Sequence, residues 1–174
     1  DFQILQASVQ LMKMPAPDEA VLARRDELIV ALQAIVPGEG VITDDMELSV
    51  YESDGLTAYR QRPMAAVLPE TVDQISRILQ LCGEFGCKIV PRGAGTSLSG
   101  GALPVADGIV LGLGKFNRVL EIDYDNRCAV VQPGVTNLGI TNAVSSNGFY
   151  YAPDPSSQIA CSIGGNVAEN AGGV

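Results

Sequence analysis

A short apolar strand that runs straight into a glycine-rich loop is the feature that most constrains the fold of this chain. Lys88-Ile89-Val90 has the composition of a strand, and Pro91 to Gly101 follows it with four glycines. Open α/β sheets place their ligands at the carboxyl ends of their strands. Glycine also allows positive φ and close approach of backbone to a ligand. The pattern therefore predicts a parallel sheet with a ligand-binding loop at the end of this strand.

The neighbouring segments complete a strand–helix–strand unit. Ala65 to Leu68 is predicted as a buried strand, and a helix is predicted to begin at Pro69-Glu70 and to close at Gly83 and Gly86. A third strand is predicted at Ile109 to Leu111. This order with short connections indicates a small parallel βαβ lobe.

A second region has a different pattern. Arg118–Asp123 and Arg127–Gln132 are two strand-like runs joined by a short polar turn, which predicts an antiparallel hairpin. A helix is expected from about Asn137 to Ser146, and a final helix rich in Gly and Asn ends the sequence. We predict an α+β fold of two α/β lobes, one a small parallel βαβ lobe and the other mixed or antiparallel and incomplete in this chain.

Helical elements are expected to precede these lobes. Pro17-Asp18 opens a helical pattern that runs to about Val36, and residues 1–16 resemble a loose or short helical leader. Residues 43–62 are polar and irregular, as in a connector. We therefore divide the chain into residues 1–62, a helical leader and connector, and residues 63–174, a ligand-binding domain.

Charge and cysteine content exclude several classes of function. The 174 residues carry 11 basic and 20 acidic side chains, a formal net charge of −9, which opposes binding to nucleic acid or to an anionic membrane. No apolar run is long enough for a spanning helix. The four cysteines form no CxxC pair and the chain has no His, so no metal site is expected. Reduced, mostly buried thiols in a cytoplasmic protein are the simplest interpretation, with a disulfide or redox role as the alternative.

The glycine loop matches neither of the two common phosphate motifs. A P-loop requires Gly-Lys-Ser/Thr, but Gly100 is followed by Gly101-Ala102. The dinucleotide fingerprint lacks its third glycine, because Gly93-Ala94-Gly95 leads to Leu98. Consecutive backbone N–H groups could still form an anion nest for a diphosphate. The composition alone is equally compatible with an ordinary surface turn.

Two later segments have similar alternatives. Tyr151 to Gln158 contains two prolines around Asp154 and is either a rigid surface turn or part of a binding site. Ser162 is predicted to cap the final helix, whose face of Gly, Ala and Asn suits a flat, rigid ligand or close packing against another element.

In this order, the three segments closely resemble the FAD-binding domain of the family that includes vanillyl-alcohol oxidase, D-lactate dehydrogenases and the bacterial glycolate oxidase FAD subunit. The resemblance runs from about Tyr51 to the last residue and includes Val67-Leu68-Pro69 followed by Glu70-Thr71-Val72. Tyr51 to Tyr59 is more similar to the glycolate oxidase branch.

The resemblance implies that the loop cradles the FAD diphosphate, that the proline turn lies along the flavin, and that the final helix contacts the ring and the ribityl chain. The cofactor-binding residues that it implies are Pro91, Arg92, Gly93, Ala94, Gly95, Thr96, Ser97, Leu98, Gly100, Pro153, Asp154, Pro155, Ser156, Ser157, Ile163, Gly164, Gly165, Asn166, Ala168, Asn170 and Gly173. Some relatives attach the flavin through a histidine at the position of Thr96. Non-covalent FAD is therefore expected here, with no metal.

The activity implied by the resemblance is transfer of a hydride from the α-carbon of a small 2-hydroxy acid to FAD, in an enzyme similar to the glycolate oxidase FAD subunit. In this family the base and the carboxylate-binding residues come from a C-terminal domain, which is expected to be absent from this chain. No catalytic residue is therefore assigned, and the chain alone is expected to be inactive and to bind FAD weakly or not at all. An iron–sulfur partner subunit, self-association, and a location in the cytoplasm or at the inner membrane through partner subunits are also implied.

Alternatives within the same fold are a D-lactate or D-2-hydroxyglutarate dehydrogenase, an alkyl-ether-lipid synthase and the cell-wall precursor reductase that uses FAD and NADPH. A non-catalytic nucleotide-binding or assembly module is the alternative from another class.

Overall fold

The computed structural model describes residues 14–173. The helices are α1 (Glu19–Ala23), α2 (Arg25–Ile35), α3 (Asp45–Leu48), α4 (Val72–Phe85), α5 (Asn137–Val144) and α6 (Ile163–Glu169). The strands are β1 (Val41–Ile42), β2 (Ala65–Val67), β3 (Lys88–Arg92), β4 (Gly108–Gly112), β5 (Val119–Asp123) and β6 (Cys128–Val131). Short 3₁₀ turns occupy Gly38–Gly40, Ser49–Tyr51 and Ser145–Asn147.

The first lobe is a four-stranded sheet in the order β1-β2-β4-β3. Strands β2, β4 and β3 run parallel, and β1 is antiparallel to β2. The parallel βαβ unit predicted from the sequence is therefore confirmed, whereas β1 is too short to show a pattern in the sequence. Pro91 lies in β3 at the edge of the sheet, where a residue without an N–H removes no interior hydrogen bond.

Local capping fixes both ends of α4, the helix that connects β2 to β3. Thr71 and Gln74 form a capping box, in which each side chain accepts a backbone N–H at the start of the helix. The helix therefore begins later than the predicted Pro69-Glu70. Gly86 ends it in the left-handed conformation, and Gly83 lies inside the helix instead of closing it.

The N-terminal helices pack on the same core as the sheet. Leu28 and Leu32 of α2 are fully buried beside Ile78 and Cys82 of α4. The single helix predicted from Pro17 to Val36 is interrupted at Arg24, whose ψ is 12°, outside the helical range. The guanidinium of Arg24 also lies over the Phe85 ring, 3.9 Å from its centroid. The predicted leader at residues 1–16 falls outside the described residues as far as position 13, and residues 14–16 have no regular structure.

The predicted connector contains short regular structure. In α3 the Asp44 carboxylate accepts hydrogen bonds from the N–H groups of Met46 and Glu47. This cap stabilises a helix of four residues, which is too short to show helical periodicity. The prediction of an irregular segment at residues 43–62 is therefore wrong for α3 and the 3₁₀ turn that follows it.

The second lobe contains the predicted hairpin and the last two helices. Strands β5 and β6 pair antiparallel with an irregular register near Val119, which confirms the hairpin. All four cysteines are free, and Cys128 is exposed while the other three are buried. Between residues 14 and 173, no helix has the length and the apolar composition required to cross a bilayer.

A buried carboxylate links the N-terminal segment to the sheet. Asp107 is 2% exposed and accepts hydrogen bonds from Lys88 Nζ, at 2.5 Å, and from the N–H of Asp18, at 2.8 Å. The hydrogen bond from Lys88 holds the pKa of Asp107 below its usual range, although burial acts in the opposite direction. Lys88 is half exposed, so solvent screens part of this interaction.

Asp107→Asn is expected to lower the free energy of unfolding at pH 7 by about 1–2 kcal/mol, because the variant loses the charged acceptor for Lys88. The folded pKa of Asp107 is depressed, so its contribution is present above the unfolded value of about 3.9 and is lost as the pH falls through the folded value. Urea unfolding followed by circular dichroism should therefore show a difference that shrinks towards acid pH. Asp125→Asn, on the exposed hairpin turn, is the control. A difference that stays constant down to the lowest pH at which the protein folds would contradict this account.

Candidate functional site

The loop that follows β3 presents a run of unpaired backbone donors. None of the N–H groups of residues 93–98 donates a hydrogen bond to another part of the described chain. Gly95 has φ +70°, which a residue with a side chain adopts only under strain. Consecutive free N–H groups on a curved backbone are suited to an anion such as a diphosphate. The loop therefore fits the cofactor portion that the sequence assigned to it.

Arg92 links this loop to the connector, residues 43–62, which precedes β2. Its NH1 donates to the carbonyl of Ser53 at 2.8 Å and to that of Tyr51 at 3.4 Å. Burial lowers the pKa of Arg92, and the Asp54 carboxylate opposes this shift. NH1 is engaged by carbonyl groups of the connector, and contact between Arg92 and a cofactor remains a prediction. The field of Arg92 is thus partly offset within the protein.

Asp54 and Gly55 form the underside of the loop, and the sequence analysis missed both as site residues. A Cβ on Gly55 would lie 2.7 Å from the carbonyl oxygen of Ser97 and 2.8 Å from that of Thr96, closer than atoms pack. Asp54 is 5% exposed, and its Oδ1 accepts from the N–H of Leu56. Its Oδ2 is the only buried side-chain polar atom without a partner in residues 14–173. These contacts show that the loop rests directly on the connector.

The loop and α6 face each other across one cleft of about 260 Å³. Ten predicted site residues line it, and they are Pro91, Gly93, Ala94, Gly95, Thr96, Ser97, Ser157, Gly165, Asn166 and Ala168. Arg92 and Gly164 line an adjoining cavity of about 240 Å³ on the other side of the Gly93–Ser162 contact. The sequence prediction that the loop and the final helix share a cleft is therefore confirmed by the geometry.

The remaining predicted residues do not line either cavity. They are Leu98, Gly100, Pro153, Asp154, Pro155, Ser156, Ile163, Asn170 and Gly173. Leu98 is 73% exposed. The proline turn is instead fastened to the chain end, because the N–H of Asp154 donates to the carbonyl of Gly172 at 3.1 Å. Whether these nine residues contact a cofactor remains a prediction.

Six cleft residues were absent from the sequence prediction. They are Gly101, Ala102, Cys161, Ser162, Glu169 and Ala171. Gly101 belongs to the same glycine run as Gly100, so the loop itself indicated it. The positions that flank α6 carried no such signal. Ser162 occupies the predicted cap position of α6, although its side chain makes no capping hydrogen bond. The Ser162 hydroxyl lies beside Gly93 instead.

A family comparison identifies the domain. The family model described as FAD binding domain matches residues 63–174. The chain belongs to this family. Membership confirms FAD as the cofactor expected from the sequence, and the unpaired N–H groups of the loop are an independent feature that fits a diphosphate.

The chain is also similar to enzymes that carry this domain. Glycolate oxidase subunit GlcD of Escherichia coli (strain K12) is 53% identical over 150 residues, which are 86% of this chain and 30% of that protein. D-2-hydroxyglutarate dehydrogenase of Xanthomonas citri pv. viticola is 33% identical over 149 residues, which are 86% of this chain and 32% of that protein. The chain thus spans less than a third of the length of either relative.

Solved structures confirm the fold. 4-Ethylphenol oxidase from Gulosibacter chungangensis superposes with a TM-score of 0.75 over 87% of this chain and 30% of that chain, at 24% identity. Alkyldihydroxyacetonephosphate synthase gives a TM-score of 0.74 over 92% of this chain and 31% of that chain, at 20% identity. The predicted α+β architecture of two lobes is the fold that these proteins share.

Gly55→Ala is expected to lower the free energy of unfolding by about 1–3 kcal/mol, because the new methyl group would meet two rigid carbonyl groups of the loop. Thermal unfolding measures this loss. Gly114→Ala is the matched control, since it has open space at the Cβ position and should change stability little. Equal stability of the two variants would show that Gly55 does not support the loop.

Proposed function

We propose that this chain is the FAD-binding part of a flavin-dependent oxidoreductase that oxidises a small 2-hydroxy acid, of the glycolate oxidase type. The observation that carries the proposal is the shared cleft, which is lined by α6 and by loop residues 93–97, whose N–H groups have no partner in the described chain. The similarity to a glycolate oxidase subunit supports the substrate class. We also propose the division into residues 1–62 and 63–174.

In this proposal the loop holds the diphosphate through its backbone donors. The small residues Gly165 and Ala168 leave room for a flat ring at the opposite wall. Bound FAD supplies the hydride acceptor for oxidation at the α-carbon of the substrate. The chain itself binds and orients, and we assign it no catalytic residue, because the base and the carboxylate-binding groups are proposed to lie outside it. The chain alone is therefore proposed to be inactive.

We further propose that FAD is bound without a covalent link. The chain contains no His, and Thr96 lines the cleft at the loop position where the attaching histidine occurs in some relatives of the resembled family. An iron–sulfur partner subunit and a cytoplasmic location, or attachment to the inner membrane through partner subunits, belong to the same proposal. The relative described as a glycolate oxidase subunit supports an assembly with other chains.

A D-2-hydroxyglutarate dehydrogenase is the second candidate, because one such enzyme is 33% identical over most of this chain. The two candidates share the same cofactor site and differ in the length of the substrate. The residues that distinguish the shorter from the longer substrate are proposed to lie outside the cleft described above.

Anaerobic reduction of the flavin by each substrate separates these candidates. The whole gene product that contains this chain should be purified with its flavin and mixed in turn with glycolate, D-lactate and D-2-hydroxyglutarate. Loss of flavin absorbance with glycolate at the highest kcat/KM is the expected result. Preference for D-2-hydroxyglutarate would support the second candidate, and no reduction by any 2-hydroxy acid would overturn the substrate class. A purified protein with no flavin that also fails to take up FAD would overturn the proposed function.

Acid precipitation of the same protein is expected to leave all of the FAD in the supernatant. Flavin fluorescence of the pellet and of the supernatant measures this distribution. Flavin that stays with the protein pellet would contradict the non-covalent assignment.

Gly95→Ala is expected to weaken FAD binding about tenfold. The methyl group adds about 1–2 kcal/mol of strain at φ +70° and meets the Arg92 guanidinium, so the loop must change shape. Titration of the apoprotein with FAD, followed by quenching of flavin fluorescence, measures the affinity. Gly114→Ala is the control, and an unchanged affinity in Gly95→Ala would argue against the loop as the diphosphate site.

A further inference from the structure

A fully buried asparagine, Asn137, links the proline turn and the segment before α6 to α6, the helix that lies across the cleft from the glycine loop. Asn137 lies in the first turn of α5 and is 0% exposed. Its Nδ2 donates to the carbonyl oxygen of Pro153 at 2.8 Å, and its Oδ1 accepts from Nδ2 of Asn166 at 3.1 Å. Its backbone N–H donates to the carbonyl of Cys161 at 3.1 Å. One residue therefore joins the proline turn, the segment before α6, and α6 itself.

These contacts fix the orientation of both side-chain amides. A carbonyl oxygen can only accept a hydrogen bond, so Asn137 must direct Nδ2 towards Pro153. Its Oδ1 then faces Asn166, which in turn must offer its own Nδ2. A flip of either amide would bring two oxygens or two donors together in a buried place, which is costly. The Pro153 carbonyl thus determines the orientation of Asn166.

The consequence is a free acceptor in the cleft. Asn166 lines the cleft, and its Nδ2 is engaged by Asn137. Its Oδ1 has no hydrogen-bond partner in residues 14–173, yet it is not among the buried polar atoms that lack one, so it remains accessible. The wall at α6 therefore presents an acceptor, whereas the loop side of the cleft is lined by residues 93–97, whose N–H groups are unpaired in the described chain.

We propose that Asn166 Oδ1 accepts a hydrogen bond from a hydroxyl or ring N–H group of the bound dinucleotide, and that Asn137 is the positioning residue that orients it. This inference rests on the proposed function. We place the donor in the flavin half of the dinucleotide, as a ribityl hydroxyl or the imide N–H of the ring. Phosphate oxygens offer no donor at neutral pH, and the donors of the adenosine half are retained in ADP, so an equal loss of ADP affinity would contradict this placement. Because the loop offers hydrogen-bond donors and the wall at α6 offers an acceptor, the two walls determine which end of the ligand lies at each of them.

Comparison of FAD with ADP tests this assignment, because ADP keeps the diphosphate but lacks the ribityl chain and the flavin ring. Affinities of the apo form of the whole gene product are measured by calorimetry for wild type and for Asn166→Ala. The variant is expected to lose about tenfold in FAD affinity and to keep its ADP affinity within about twofold, since only FAD carries the donor.

FAD methylated at the imide nitrogen separates the two donors. It should bind wild type about tenfold more weakly than FAD does if the donor is the imide, and with unchanged affinity if the donor is a ribityl hydroxyl.

Asn137→Ala tests the positioning role. It should reproduce the selective loss of FAD affinity, and the double variant should be no weaker than the single ones, because both act through one hydrogen bond. Asn142→Ala, an exposed residue on the same helix, is the control and should leave both affinities unchanged. If Asn137→Ala does not fold, Asn166→Ala decides the proposal alone.

The outcomes that overturn the inference are distinct from failure of the proposed function. Wild type that binds FAD while Asn166→Ala loses FAD and ADP affinity equally, or loses neither, would overturn the inference and leave the FAD site intact. Wild type that binds neither ligand would overturn both.

Discussion

The loop after β3 and the first turn of α6 approach each other at Gly93 and Ser162, and the cleft forms on one side of this contact. A Cβ on Gly93 would overlap the Ser162 hydroxyl and lie 3.3 Å from the Ser162 Cβ, so a larger residue would require the serine side chain to move. Two main-chain hydrogen bonds of 2.8 Å fix the start of α6. The N–H of Ile163 donates to the Val135 carbonyl, and the N–H of Gly164 donates to the Pro133 carbonyl. Because the loop belongs to the first lobe and α6 to the second, the contact between Gly93 and Ser162 is one of the places where the lobes meet.

The N-terminal segment has a more direct role in the site than its position outside the family match suggests. The match begins at residue 63, yet the connector carbonyl of Ser53 and the backbone of Gly55 lie against the loop. A glycine-rich loop has little side-chain packing of its own and loses more conformational entropy on ordering than other segments do. Support from the connector offsets part of that cost. The shape of the loop therefore depends on residues that precede the matched domain.

The sequence predicts those parts of the structure that depend on local chemistry. Strand β3, α4 and the hairpin β5–β6 were found because apolar periodicity and turn residues are short-range signals. The pairing of the loop with the final helix across one cleft was implied by the family resemblance, which assigns both segments to the same cofactor. The side-chain roles could not be read in the same way. Arg92 looks like a ligand for phosphate, but its direction depends on carbonyl groups some forty residues earlier in the chain.

Asn137 illustrates the same limit more clearly. In the sequence it is an ordinary polar residue at the start of a short helix, and its importance comes from Pro153 and Asn166, which lie 16 and 29 residues away. Full burial of an amide is what marks it, because such a group must satisfy its hydrogen bonds inside the protein. Burial is a property of the folded chain and leaves no pattern in the sequence around it.

A chain with a net charge of −9 has to recognise an anion without a strong positive field. Arg92 is the only basic residue between Pro91 and Gly101, and its interactions with connector carbonyls and with the Asp54 carboxylate offset part of its field. Fixed N–H dipoles act only at short range and only in one direction, and they therefore discriminate by geometry more than by charge. On the proposed assignment the opposite wall offers an acceptor at Asn166, so a phosphate group gains nothing there and a ring N–H gains nothing at the loop. Hydrogen-bond polarity alone can then align a long, flexible dinucleotide in an acidic protein, and the alignment persists at ionic strengths that would screen a charged site.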